Sequence, residues 1–450
     1  MTDERKTPWA LVGVRLVAGV IVAVACVAAV VLAVAAPWPQ LSRNAAYAEI
    51  TPVAADPTLL CNGPFRALGR DAEHADRIVS AGDPRRVVGG EDVESDDLEM
   101  PDLDDDGAAV QLTAPAGTSA FSAVESVRVD DDDLKGLAAA PCREPRLHSW
   151  LVGGSARTGA SDVILLTNGA DVPATVTLSV YGAAEKEDSG VVVPPKTQVA
   201  VPLASVAPSE EMPVVEVTAE GAPVRAVMQS SLMNVLEPVG IDIQDSVTEL
   251  DQRQFFTGVQ VMQGAKAVVR VLSPEGGTAK VTVREEGEAE PEGEYEVEVE
   301  AGLPTELALA PDSGVYDIDV SSEQPLVAAV QQERTTADGS DFAWMTPAPV
   351  LEDDVAFAVP GESGARLRLH NDADQATAVT LRTGENEKRV EVPADGTVSV
   401  PVAGGSTPIL SPEAPVRAAL TLTGGGRSPG IAGWPIWPSS AKPADVTVYP

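Results

Sequence analysis

The pentapeptide APVRA occurs at Ala222–Ala226 and again at Ala414–Ala418, and PLVAA at Pro325–Ala329 falls in the corresponding place between them. Aligning the chain on these three points brings the residues upstream of each into register. ATVTLSVYG from Ala174, AKVTVREEG from Ala279 and TAVTLRTGE from Thr377 all alternate apolar with polar side chains. A period of two puts Val and Leu on one face and polar groups on the other, the pattern of a half-buried strand and not of a helix. After these come GVVVPPKTQVAVPL, YEVEVEAGLPTELAL and KRVEVPADGTVSVPV, alternating runs around a Pro or Gly turn that read as hairpins. Before them lie VILLTNG, VVRVLSPEG and LRLHNDA, strands that stop at Asn, Pro, Gly or Asp.

Each repeat therefore holds about seven or eight short strands with no helical period between them, which predicts one antiparallel β-sandwich of immunoglobulin-like size per repeat. The expected units are 148–247, 254–350 and 355–439, with 440–450 as a C-terminal tail. A propeller is the rival architecture, but three blades fall below its usual four to eight. Proline suits the first position of a strand, where its missing N–H costs little. Val224 and Val416 are then expected to pack inward, with Arg225 and Arg417 facing out. The expected fold class is all-β, tandem sandwiches preceded by a transmembrane helix.

That helix is expected over 16–36, where twenty-one consecutive residues from Leu16 to Ala36 are apolar. At 1.5 Å per residue they span roughly 31 Å, about the hydrocarbon thickness of a bilayer. Arg5, Lys6 and Arg15 all precede the run, so the positive-inside rule keeps 1–15 cytoplasmic and exports 37–450. Ala33-Val34-Ala35 resembles a signal-peptidase site, and cleavage there would release a secreted protein. Cys26 lies in the apolar run and behaves as a small hydrophobe. Cys61 and Cys142 remain as the two exported thiols, which pair in an oxidising compartment. A zinc site is disfavoured by the absence of a nearby histidine and of metal-ligand spacing.

Residues 37–147 read as a linker and a degenerate β region, a fourth sandwich in outline, interrupted by an acidic stretch. Glu91 to Asp106 holds ten acids in sixteen positions, the composition of a solvated loop. Within it Asp102, Asp104 and Asp106 match the opening of a calcium loop. The twelfth position is Thr113 instead of Glu and no helical pattern flanks the match, so this is a weak candidate beside the plain acidic loop. Glu285 to Glu300, nine glutamates in sixteen, is expected on the exposed face of a hairpin. With a formal net charge of −37 the chain repels nucleic acid and anionic lipid headgroups. Aromatics make up only 4% of it, so cores must be built from Val, Leu and Ala.

No catalytic or cofactor-binding residue is expected. His74, His148 and His370 are the only histidines and fall in separate regions, so a Ser-His-Asp triad would need convergence across domains. There is no G-x-S-x-G elbow and no G-x-x-x-x-G-K-[ST] loop. The Gly-rich VGGSARTG lacks a phosphate-binding lysine and reads as a turn between strands. His148 and Trp150 open the first sandwich, with Trp150 filling core volume. The four tryptophans beyond residue 100 are better placed for cores than for glycan stacking.

Two stretches carry a resemblance: LLCNGPF, and GLAAAPCREPRLHSWLVGGSARTGASDVILLTNGADVPATVTLSVYG. Over 58–66 and 135–182 the chain resembles an actinobacterial domain-of-unknown-function family of membrane-anchored or secreted proteins, with a Cys and Pro ahead of a W-[LV]-V-G-G segment. The resemblance implies a β-rich envelope protein and no activity. The first motif departs from the family pattern, reading Cys61-Asn62-Gly63-Pro64 where a Pro commonly follows the Cys. The expected function is a non-enzymatic, membrane-anchored extracytoplasmic scaffold that binds an envelope protein partner. The alternative is an accessory subunit or sensor for envelope polysaccharide or peptidoglycan enzymes.

Overall fold

The computed structural model describes residues 9–35, 48–50, 56–68, 70, 78–101, 103, 108–118, 120–183, 187–288, 290–362, 364–424, 429–438 and 446–448. They fall into two units, 1–53 with 443–450, and 54–442. The smaller holds a helix, Trp9–Ala35, and an antiparallel pair of Ala48–Ile50 with Val446–Val448. Among the described residues no helix is long and apolar enough to cross a membrane.

Among the described residues, the named strands of the larger unit all pair antiparallel, with one helical turn, Leu203–Val206. Three repeats share one strand order. In the first, the sheet His148–Leu151, Val214–Glu220, Ala174–Tyr181, Glu187–Val193 is paired with the sheet Thr197–Pro202, Val163–Asn168, Arg225–Asn234, Glu237–Asp245. The third repeats this with Val355–Ala356, Ile409–Pro412, Thr377–Thr383, Asn386–Val392 and with Gly396–Pro401, Arg366–Asn371, Val416–Thr423, Ile431–Pro435. In the second, the 23-residue strand Gly314–Thr336 serves both sheets, pairing with Asp251–Val261 in one and Gly339–Met345 in the other. Alternation decides which face is buried: in the strand from Ala174, residues Ala174, Val176 and Leu178 are fully covered while Thr175 is exposed. Each repeat builds its own core between its two sheets, such as Leu151, Val176 and Val217 against Ile164, Leu166 and Met228.

The region ahead of the repeats is folded as well. Its last hairpin, Ser122–Asp130 with Lys135–Pro141, stands where each repeat has its own closing hairpin. The acidic stretch differs from a wholly solvated loop. Glu94–Leu98 pairs with Ala109–Thr113 as an edge strand, its acids exposed and Leu98 buried, and the Glu99 N–H donates to the Lys196 carbonyl. Asp102, Asp104 and Asp106 lie outside the described residues, as does His74.

Four closing strands pack on one another in a cycle: Lys135–Pro141 on Glu237–Asp245, that on Gly339–Met345, that on Ile431–Pro435, and that back on Lys135–Pro141. The body is therefore a closed ring of four β units, with the N-terminal region as the fourth. The axis explains the glycines. Gly136, Gly240 and Gly430 precede Leu137, Ile241 and Ile431, and the corresponding residue of the remaining strand is Asp341, before Phe342. A Cβ on Gly136 or Gly240 would collide with the Asp341 carboxylate, so three strands lack a side chain where the fourth inserts one.

Arg225 does not face out. It is buried, its guanidinium donating to the Leu60 carbonyl and lying 3.6 Å from Asp245, because the N-terminal unit covers that side of the strand. Arg417 is half-buried against Asp372. Val224 and Val416 pack inward. The glutamate-rich hairpin Gly277–Glu285 with Gly293–Val299 exposes Glu294, Glu296 and Glu298.

Candidate functional site

Cys61 and Cys142 form a disulfide that closes 81 residues of sequence. Beside it, buried Glu125 accepts the N–H groups of Asn62 (2.6 Å) and Gly63 (3.1 Å) and pairs with Arg86 at 2.7 Å. Gly63 sits at φ +75°, where its Cβ would strike the Ala108 carbonyl. The Cys61-Asn62-Gly63 turn is thus built around one carboxylate. Both sulfurs and Glu125 lie close enough to suggest a metal cluster, but the disulfide has consumed the thiolates and Glu125 is fully engaged.

Of the described histidines, His148 is exposed beside Glu216 at 3.0 Å. His370 is buried between the second and third repeats. Its Nδ1 lies 2.9 Å from Thr397 Oγ1 and its Nε2 3.2 Å from Asp372, and its ring packs at 4.2 Å on Phe255. Thr397, His370 and Asp372 thereby imitate the order of a nucleophile, base and acid. The Thr397 hydroxyl, however, donates to Asp317, and Thr397, His370 and Asp317 are all buried, so no substrate reaches them. Burial opposes protonation of His370, but its hydrogen bonds to Asp317 and Asp372 prevail and raise its pKa. Burial likewise works against the Asp372 carboxylate, yet His370, Arg417 and Arg253 hold its pKa well below the usual range. This is a charged joint between repeats.

Three further carboxyls are buried where units meet. Asp341 accepts the amides of Leu137 (2.9 Å), Ile241 (3.1 Å) and Ile431 (3.1 Å). Asp242 accepts the Trp344 amide at 2.8 Å, and Asp162 those of Ser155 (2.7 Å) and Ser231 (3.2 Å). Loss of hydration pushes Asp162 up to about 7 and Asp242 to about 8, and raises Asp341 well above the carboxylate range against the pull of its three amides. The VGGSARTG segment wraps Asp162. Gly154, at φ +76°, lets the carboxylate approach, and the Gly154 carbonyl accepts from Arg270 of the second repeat at 2.8 Å.

One concavity lies where the axial strands end. Pro141 leads into Arg143, Asp245 into Val247, and Pro435 into Trp437. A cavity of about 100 Å³ opens there between the disulfide-bonded unit and the third repeat, with Phe121, Phe357, Trp434 and Trp437 as its apolar wall. The Arg143 guanidinium stacks 3.7 Å above the Trp437 ring while donating to Asp245 at 2.8 Å. Trp437 Nε1 has no hydrogen-bond partner among the described residues. Arg146, on the rim, is exposed, makes no ion pair among the described residues, and has its pKa lowered by partial burial and by Arg143. The aromatic wall thus carries Arg143 and Arg146 at its edge, with Glu144, Ser122 and Thr118 also in its lining. Trp150, Trp344 and Trp434 do fill buried space, but Trp437 is half-buried and lines the groove. The available sequence signal was the W-P-I-W-P punctuation, where a second Trp follows the end of the last strand.

Among known proteins, residues 101–412 match the model of a family of unknown function, DUF5719. The match includes the second of the two resembling stretches, 135–182, and begins after the first. No curated protein matches the chain.

Proposed function

The chain belongs to the DUF5719 family, whose function is unknown, and we propose from its own geometry that it is a non-enzymatic envelope scaffold. It would be held at the membrane by Leu16–Ala36, with four β units displayed outside the cell and a protein partner docked in the groove at Trp437. We read the three repeats as immunoglobulin-like sandwiches. The observation that carries this reading is the pairing of an aromatic-lined groove, with exposed Arg146 on its rim and no ion pair to it among the described residues, with a His370 network that is sealed from solvent. Affinity in such a groove comes from buried aromatic and arginine anchors. The disulfide and the apolar run support an exported, anchored form.

The test places a photo-crosslinking residue at Phe121 in the full chain in intact cells. Capture of a discrete protein, lost on Arg146→Glu, is expected. If that protein is a glycan or peptidoglycan enzyme, this protein is its accessory subunit. Labelling of lipid or bulk wall alone would defeat the docking reading.

A further inference from the structure

The hairpin joining Arg225–Asn234 to Glu237–Asp245 ends in a tip with no structural reason to be apolar. Val235 is 88% exposed and Leu236 81%. Val235 also sits at φ +60°, a conformation that a β-branched residue adopts only against a steric cost. The base of the tip is braced: the Met233 N–H donates to the Gly159 carbonyl at 2.9 Å, and Ala160 bridges to Leu232. A second part of the VGGSARTG segment therefore serves to hold two apolar side chains out in solvent.

The tip and the Trp437 groove lie at opposite ends of one strand. Glu237–Asp245 starts at the tip and finishes at Asp245, which pairs with Arg143 in the groove. Nine residues at about 3.3 Å each separate them by nearly 30 Å along the ring axis.

Resting on the reading of the groove as a docking site, we propose that the Val235–Leu236 tip of one copy seats in the Phe121–Trp437 groove of the next, so that copies of this chain stack head to tail. Size fits: an apolar cavity of roughly 150 Å³ accommodates benzene, and one of about 100 Å³ suits a branched aliphatic side chain. Charge fits as well. Glu237 beside the tip and Arg146 on the groove rim both lack an ion-pair partner among the described residues, and Arg143 and Arg146 outnumber Glu144 along the groove on a chain of net charge −37. A lipid surface is a poorer occupant, because the tip has no Lys, Arg or Trp and carries Glu237. Because the two surfaces differ, the contact is heterologous and propagates into open chains.

Sedimentation velocity on the full chain in detergent tests this. The wild type should sediment faster as concentration rises. Leu236→Glu and Arg146→Glu, both at exposed positions, should each weaken association at least about tenfold with unchanged thermal melts. Mixed together, these variants should form a 1:1 dimer and nothing larger, since one retains a groove and the other a tip. Glu237→Arg combined with Arg146→Glu in one chain should restore assembly. A wild type that stays monomeric, a Leu236→Glu variant that associates normally, or a mixture that fails to pair would each overturn the proposal. Should the crosslinker at Phe121 then capture a different protein, the docking reading stands and only self-assembly falls; should it capture none, both fall.

Discussion

The Asp341 carboxylate accepts the amide of Leu137 across 204 residues of sequence. Through Ile241 and Ile431 it also holds the first and third repeats, so one side chain of the second repeat touches every other unit of the ring. Asp341→Ala leaves three buried N–H groups without an acceptor. At about 1–3 kcal/mol for each buried unsatisfied group, a loss of roughly 3 kcal/mol or more is expected. Urea denaturation measures it, and a change within 1 kcal/mol would show that the axis does not depend on this residue.

Gly136 stands at φ +152° with Asp341 and Ile241 in the way of any Cβ. Gly136→Ala should destabilise by roughly 1–3 kcal/mol through strain and crowding. Gly190 is an exposed strand glycine with open space around it, so Gly190→Ala is the control and should be neutral or slightly stabilising. Equal effects at both positions would argue against a crowded axis.

Reducing the disulfide between Cys61 and Cys142 frees a loop of 81 residues, and the chain-entropy relation gives a loss of about 4–5 kcal/mol before any offset. Glu125→Ala should add to this by releasing the Asn62 and Gly63 amides and stranding Arg86. Free-thiol labelling of the native protein without reductant should find neither Cys61 nor Cys142. Labelling at both would remove the cross-link from the account.

Stability should rise on acidification from pH 8.5 to pH 5. Asp162 and Asp242 have folded pKa values of about 7 and 8, above those of the unfolded chain. Between the unfolded and folded values the fold binds protons that the unfolded chain releases, so stability falls as pH rises through this window. His370, also raised, contributes stability that is present below its unfolded pKa and lost as pH rises through the folded one. Asp372 acts oppositely, its contribution vanishing only in strong acid. Melting temperatures across pH should show this slope, and Asp242→Asn, which keeps an acceptor for the Trp344 amide, should flatten it. An unchanged slope in that variant would place the dependence elsewhere.

The strands of the repeats were legible because alternation and turn residues are local, whereas their order in the sheets was not. The inward valines of APVRA followed from the same period. Arg225 was misread because its burial comes from Leu60 and Asp245, residues far away in sequence. The fourth unit was half-seen, since ten acids in sixteen residues outweighed the single anchor Leu98 that fixes the edge strand. Its closing strand was legible in principle: Gly136-Leu137, Gly240-Ile241 and Gly430-Ile431 share a Gly-aliphatic step. Asp341-Phe342 breaks that step at the one place where the ring needs its carboxylate. The groove was invisible because its walls come from three separated segments that only ring closure brings together.

A solenoid can gain or lose a repeat at its end and remain a protein, since each unit meets only its neighbours. Here the strand ending at Pro141 packs on the one that starts at Ile431, so unit number is quantised by geometry. Deleting a repeat leaves a gap, and inserting one leaves no room at Asp341. The hairpin tips and the rim lie away from Asp341, so a substitution there leaves the count of four untouched.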